Sequence, residues 1–207
     1  MKGKLITFEG SEGSGKSTQI ELAQCYLEAK GLDVLFLREP GGVVISEEIR
    51  NILLDTATVG MSDECETLLY MAARAQLVEE VIIPALKDGK VILCDRFLDS
   101  TVAYQGYGNG VKIQEIKKIG AFATQGYKPD LTFLFDLDVH EGLARINRPK
   151  DRIENRAIEY HNRVKKGYLA IAKLEPSRVK VINSKKSKDE IQSVVKKHLN
   201  RLLNLKA

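Results

Sequence analysis

The sequence predicts an α/β fold: a parallel sheet with helices on both faces. Three observations carry that prediction. Short apolar runs at 5–9, 34–37, 91–94, 131–135 and 179–182 alternate with helical patterns at 16–30, 46–54, 63–87, 112–125, 139–147, 155–174 and 187–205. Strands this apolar are buried on both sides, as in a sheet whose crossover helices cover each face. The first run leads directly into G-S-E-G-S-G-K-S at 10–17, a glycine-rich turn that opens a helix. Finally, 207 residues with 43% hydrophobic content can bury one substantial core and are short for two, so 1–207 reads as a single domain.

The turn after the first strand is the P-loop pattern in its required context. Gly10, Ser11, Glu12, Gly13, Ser14 and Gly15 allow successive backbone N–H groups to point inward, and the helix opening at Lys16, Ser17 and Thr18 adds the positive end of its dipole. Such a nest holds a polyphosphate. Lys16 is placed to reach the β- and γ-phosphates and the Ser17 hydroxyl to ligate a bridging Mg2+. The competing reading is a glycine-rich turn with no ligand.

Lys plus Arg number 32 against 28 Asp plus Glu, an excess too small to imply a nucleic-acid or membrane partner. The N-terminus shows no long apolar region with a cleavage site and no stretch approaches a membrane span, so a cytoplasmic protein is expected. Cys25, Cys65 and Cys94 are odd in number and set in apolar patterns, which predicts buried reduced thiols. The three histidines form no metal-ligand spacing.

In a parallel sheet, ligands gather beyond the strands' carboxyl ends, so residues just after each strand carry the information. The second strand is followed by Arg38-Glu39-Pro40-Gly41-Gly42, where Pro and Gly build a turn and the charged pair faces the place where phosphate and metal meet. On the helix at 63–87, Leu68, Met71, Ala72, Ala75, Val78, Ile82 and Leu86 form a core-facing stripe, with Tyr70 and Arg74 off it and four residues apart. Together those two can address one flat ligand, the ring against a base and the guanidinium donating to a carbonyl edge; a donor-only Arg favours thymine or uracil over cytosine. A surface Tyr and an ion-paired Arg are the competing reading. The third strand ends in Asp95, the usual position for holding a Mg2+ water shell in a P-loop protein, and Arg96 beside it can fork onto a phosphate. Tyr104 and Gln105 follow on a short helix or turn, placed to frame a sugar or base. After the fourth strand, residues 145–156 hold Arg145, Arg148, Lys150, Arg152 and Arg156 around Pro149, which predicts a helix–loop–helix with a basic lid. Such a lid supplies the charge that Gly13 and Ser14 leave out of the loop itself.

Taken together, F-E-G-S-E-G-S-G-K-S-T at 8–18, R-E-P-G-G at 38–42, A-A-R-A-Q at 72–76, D-R-F-L-D-S-T-V-A-Y-Q-G at 95–106, P-D-L-T at 129–132 and D-R-I-E at 151–154 resemble the thymidylate kinase family. The resemblance covers nearly the whole chain. It implies a P-loop NTPase fold with a five-stranded parallel sheet in order 2-3-1-4-5, a short lid and a homodimer. It implies transfer of the γ-phosphoryl of MgATP to dTMP, giving dTDP and ADP; kinases for other nucleoside monophosphates and non-kinase P-loop NTPases are the alternatives. By resemblance, residues 10–18 hold ATP and Ser17 and Asp95 the metal. Glu12 meets the 3′-hydroxyl of dTMP, Tyr70 stacks on the base, Arg74 reads its carbonyl, and Thr101 and Gln105 line its pocket. Tyr104 crowds the 2′ position and Arg96, with Arg38 nearby, binds the acceptor phosphate. Lys16, Arg38, Arg96 and the lid arginines Arg148 and Arg152 are the expected catalytic cations. Val43-Val44 after R-E-P-G-G and Tyr rather than Phe at 70 depart from the family pattern.

Overall fold

In the computed structural model, which describes residues 2–205, all five predicted strands pair in parallel. They are β1 (Lys4–Gly10), β2 (Val34–Arg38), β3 (Val91–Asp95), β4 (Leu131–Asp136) and β5 (Val179–Asn183), in the order β2-β3-β1-β4-β5. Each runs one residue further than its apolar pattern, because the polar residue at the carboxyl end still joins the ladder: Phe8 and Arg38 both pair with Asp95, and Asp136 with Asn183. With β3 on one side of β1 and β4 on the other, the chain leaves β1 for opposite halves of the sheet, which opens a crevice above its carboxyl end.

Period-two alternation decides what each face buries. Ile6 and Phe8 of β1 point with Leu93, Phe133 and Phe135 to the face covered by α1 (Lys16–Ala29) and α9 (Lys188–Leu203). The Phe8 ring stands 5.3 Å from Phe133 and 6.1 Å from Phe135. The opposite face packs on α3 (Asp63–Leu77), α4 (Ile83–Lys87), α5 (Leu98–Thr101) and α8 (Ile158–Leu174). The remaining helices are α2 (Val44–Leu54), α6 (Ile113–Ala123) and α7 (Val139–Ala144).

The helical pattern at 63–87 is three pieces rather than one rod. A π-helical turn, Val78–Ile82, separates α3 from α4. Pro84 at the start of α4 has no N–H to give the preceding turn, and the ladder widens to accommodate it. The predicted stripe is also displaced: Leu68 is 54% exposed and Ala72 lies at the surface, while Glu66, Thr67 and Arg74 are buried. The inward face of α3 is a polar network, so apolarity did not mark it. Leu68 joins Val44, Ile45 and Phe122 as exposed apolar groups on α3 and the two helices that pack against it. Of the cysteines, all free, only Cys94 is buried; Cys25 and Cys65 point outward from α1 and the first turn of α3, contrary to the expectation of three buried thiols. No described helix is long and apolar enough to cross a membrane.

Candidate active site

β1 delivers its chain into the phosphate loop through Gly10 at φ 138°, where a Cβ would meet the Phe135 carbonyl oxygen at 2.5 Å. Gly13 at φ 65° lies against α7 so closely that a Cβ would stand 2.1 Å from the Gly142 oxygen. The loop is thus clamped between the end of β4 and α7, and only glycine fits at either point. Lys16, the first residue of α1, folds back and donates to the carbonyls of Gly10 and Ser11, each at 2.9 Å. Burial, joined by repulsion from Arg96 and opposed by Asp95, Glu12 and Glu9, lowers its pKa to about 8. Ser14 braces the loop by donating to the Ser11 carbonyl at 2.7 Å, and Ser17 and Thr18 stand exposed on the first turn of α1.

The facing wall begins where β3 ends. Arg96 has φ 72°, a left-handed conformation costing a non-glycine residue about 1–3 kcal/mol. Its side chain is held from several directions: NH2 donates to Glu12 Oε1 at 3.1 Å, NH1 to the Tyr168 hydroxyl at 3.1 Å and to Ser100 Oγ at 3.4 Å, and the guanidinium lies 5.0 Å from the Tyr104 ring centre. Burial disfavours the Arg96 charge, but Tyr104, Tyr168, Glu12 and Asp95 outweigh it and raise its pKa well above the usual value. Burial pushes Glu12 up, yet Arg96, Lys16 and the Tyr104 hydroxyl prevail and hold its carboxyl below the ordinary range. The Tyr104 hydroxyl donates to Glu12 Oε1 at 2.5 Å. Beneath this cluster Glu9, on the inward face of β1, accepts from Phe97 N at 2.8 Å, Ser100 Oγ at 2.6 Å and the Tyr168 hydroxyl at 3.0 Å. Burial first, then Asp99, raises it to about 7.

The third wall comes from α3 and the stretch after α5. Val102–Gly108 forms a second π-helical turn, and this wide turn carries Tyr104 and Gln105. Arg74 is 2% exposed: Nε donates to Glu39 Oε2 at 2.7 Å, and NH1 to Thr101 Oγ1 at 3.0 Å and to Met71 Sδ at 3.3 Å. Arg74 therefore points inward from α3 to an acidic partner 35 residues away, not outward beside an apolar stripe. Glu39 Oε1 is buried with no hydrogen-bond partner among the described residues.

These walls enclose one cavity of about 420 Å3. Of the residues predicted for the site, Glu12, Gly13, Lys16, Ser17, Tyr70, Arg74, Asp95, Arg96, Thr101, Tyr104, Gln105 and Arg148 line it. Of the other predicted residues, Gly10, Ser11, Ser14, Gly15 and Thr18 belong to the loop or the first turn of α1 without lining the cavity, and Arg38 and Arg152 are turned away from it. Arg38 is turned onto Glu47, donating to both carboxylate oxygens at 2.9 and 3.0 Å. Arg152 donates to the Leu53 carbonyl at 2.8 Å and to Glu66 at 2.7 Å, which pins it under the lid. The lid itself is a run of turns between α7 and α8, organised by Asp151, which accepts from Ile153 N and Glu154 N at 2.9 and 2.8 Å. Arg148 reaches the cavity while paired to Glu154 through two bonds of 2.8 and 2.7 Å. Arg50 and Arg145 also line the cavity, and sequence reasoning did not single them out as site residues; Arg50 donates to the Pro40 carbonyl at 2.8 Å and Arg145 to that of Gly13 at 3.1 Å. Asp95 Oδ1 is buried without a partner among the described residues, and Asp95 shares the cavity with the exposed Ser17. Their oxygens fit a hard divalent cation completing its shell with water and phosphate.

A phosphate loop at the carboxyl end of the central strand of a 2-3-1-4-5 parallel sheet, facing an arginine-lined cavity, defines a P-loop nucleotide enzyme. The thymidylate kinase family model matches residues 8–195. A thymidylate kinase of Geobacillus sp. (strain WCH70) is 48% identical over 195 residues, covering 92% of this chain and 93% of that protein. One from Clostridium novyi (strain NT) is 43% identical over 199 residues, covering 94% and 97%. The crystal structure of thymidylate kinase from Ehrlichia chaffeensis superposes with a TM-score of 0.79 at 35% identity, covering 96% of this chain and 99% of that one. The chain belongs to the thymidylate kinase family and is an enzyme.

Proposed function

We propose that this enzyme transfers the γ-phosphoryl group of ATP to the 5′-phosphate of dTMP, yielding dTDP and ADP. The observation that carries the reading is the juxtaposition, across one cavity, of Lys16 in its loop and the Arg96–Glu12–Tyr104 cluster, with Tyr70, Arg74 and Gln105 on the third wall. The triphosphate lies in the loop, where its oxygens replace the two carbonyls that Lys16 now holds. Arg96 binds the acceptor phosphate, Tyr70 stacks on the base, and Thr101 and Gln105 edge it. Since Arg74 already uses Nε and NH1, NH2 is the donor left for the 4-carbonyl. Glu12 takes the 3′-hydroxyl, and Tyr104, fixed against it, crowds the 2′ position.

The acceptor is already an anion, so the transfer needs no strong base; it needs alignment and neutralisation of charge shared by two anionic substrates. Ser17 and Asp95 would hold Mg2+, which would supply neutralisation of phosphate charge. Arg148 covers the transferring group as the lid closes. Arg38 braces the turn at 39–42 through Glu47, which also accepts from Gly42 N at 2.7 Å. The exposed apolar groups Val44, Ile45, Leu68 and Phe122 support a homodimer formed through α2, α3 and α6. A reducing cytoplasm suits the three free thiols. The deciding experiment is ADP release measured with dTMP, dUMP, dCMP, AMP and GMP as acceptors. The reading expects dTMP to lead, with dUMP slower by the worth of one methyl group, about 1–3 kcal/mol; a purine monophosphate leading would overturn it.

A further inference from the structure

Glu66 lies on the first turn of α3, outside the cavity wall, yet it is 1% exposed and saturated with donors. Its Oε1 accepts from Gln105 Nε2 at 2.9 Å and Asn109 Nδ2 at 3.0 Å, one on the wide turn that frames the acceptor and one just past it. Its Oε2 accepts from NH2 of Arg152 and NH2 of Arg156, each at 2.7 Å, both in the lid segment. A carboxylate has about four lone-pair sites, and these four donors fill them. Arg152 is further tied to the end of α2, its backbone N donating to the Leu54 carbonyl at 3.1 Å. Arg156 also donates to Asn109 Oδ1 and lies 4.6 Å from the Tyr160 ring centre.

Gln105 and the two arginines therefore hang on opposite oxygens of one rigid planar group. Neither oxygen can move without the other, so a change in how Gln105 meets a base is passed to the root of the lid, and the reverse. Neutralising two arginines alone would not require the same carboxylate to orient a base-edging glutamine. We propose that Glu66 is a positioning residue that couples the acceptor-side turn to the lid, so that seating the nucleoside monophosphate against Gln105 sets where the lid rests. This rests on Gln105 edging the base as read above. It gives Arg152 and Arg156 a part played through lid position rather than by contact with the phosphoryl group.

The test compares wild type with Glu66→Gln, which keeps the size but turns one acceptor into a donor facing donors. Amide exchange across 145–156 is followed with and without dTMP, and KM is measured separately for dTMP and ATP. Coupling predicts that KM for dTMP rises at least about fivefold, the lower bound of ordinary coupling strengths, with KM for ATP much less affected. It also predicts that the response of lid exchange to dTMP, present in wild type, disappears. Loss of thermal stability with both KM values unchanged, or a lid that still responds to dTMP as in wild type, would overturn the proposal. If Glu66→Gln does not accumulate folded protein, Arg156→Met cuts the same link from the lid side, and the same two outcomes decide. A wild-type enzyme that ignores dTMP but phosphorylates another monophosphate would sink the function reading alone, and the coupling is then read with that nucleotide.

Discussion

Arg74→Met should destabilise the enzyme through Glu39. The pair is buried, with side chains 2% and 4% exposed and a 2.7 Å contact. Methionine keeps much of the packing against Phe97, over whose ring the guanidinium now sits at 5.4 Å. It removes the counter-charge bonded to a carboxylate whose second oxygen has no partner among the described residues. Unpairing a buried ion pair costs about 3–5 kcal/mol. Burial already raises the pKa of Glu39 against the pull of Arg74, and without that pull it rises further. Between the unfolded carboxyl pKa, about 4.3, and this raised folded value, the unfolded state binds fewer protons, so stability falls as pH rises through that window. The deficit of Arg74→Met is therefore larger at pH 8 than at pH 5. Adding Glu39→Gln removes the stranded charge and should return most of the loss, a coupling of at least about 2 kcal/mol. Urea unfolding of the nucleotide-free single and double variants, followed by far-ultraviolet circular dichroism at both pH values, measures this. Additive losses, or a deficit independent of pH, would show that Glu39 is not stranded and refute the reasoning.

Lys16→Ala should leave dTMP affinity unchanged in calorimetry while kcat falls about 10²–10³-fold, as for removal of one preorganised donor; undiminished turnover would exclude its role. Because burial lowers Lys16 to about 8 in the nucleotide-free enzyme, kcat/KM for ATP should decline as pH rises above that value and the ammonium is lost, and a profile flat to pH 9 would count against it. Tyr104→Phe removes the hydroxyl bonded to Glu12 and should narrow the preference for dTMP over its ribonucleotide, read as a ratio of kcat/KM values; an unchanged ratio rejects the sugar-reading assignment.

Strands and phosphate loop were legible because both are local: an apolar run fixes a buried strand, and the spacing of 10–17 fixes a nest whatever surrounds it. What sequence could not resolve depends on distant partners. Arg74 looks exposed on a helical wheel, since the wheel counts only apolarity, and its burial is made possible by Glu39 and Thr101, which lie 35 and 27 residues away. Glu66 is hidden for the same reason, with donors up to 90 residues off. Glu9 sits in a strand whose alternation would place any side chain inward, so nothing local distinguishes it from a core position. The break in 63–87 did carry a signal, Pro84; the wide turn at Val102–Gly108 carried two glycines, and Gly108 is needed because a Cβ there would come 2.6 Å from Tyr160. Arg148 and Arg152 are alike in sequence and differ only in their neighbours, one paired at the cavity mouth and one fastened to α2 and α3.

The cavity's cations fall into two groups by what holds them. Arg74, Arg96 and Arg148 are pinned by carboxylates, Glu39, Glu12 and Glu154. Lys16, Arg145 and Arg50 are held by neutral carbonyls, those of Gly10 and Ser11, Gly13, and Pro40. A phosphate oxygen arriving at a cation of the second group exchanges a neutral acceptor for an anion, and a charge-assisted bond is roughly twice as strong. At Arg96 the gain is smaller, because Glu12 already supplies the negative charge and must keep its place if it is also to meet the sugar. On the function proposed above, Lys16 and Arg145, both bonded to the loop, would gain affinity by exchanging its carbonyls for phosphate oxygens, whereas Arg96 would give up affinity for fixed geometry; Arg50, at the turn 39–42, and Arg148, in the lid, stand outside that division. Transfer between two anions needs that division: the triphosphate has to be drawn in against repulsion, while the acceptor phosphate has only to be held in line.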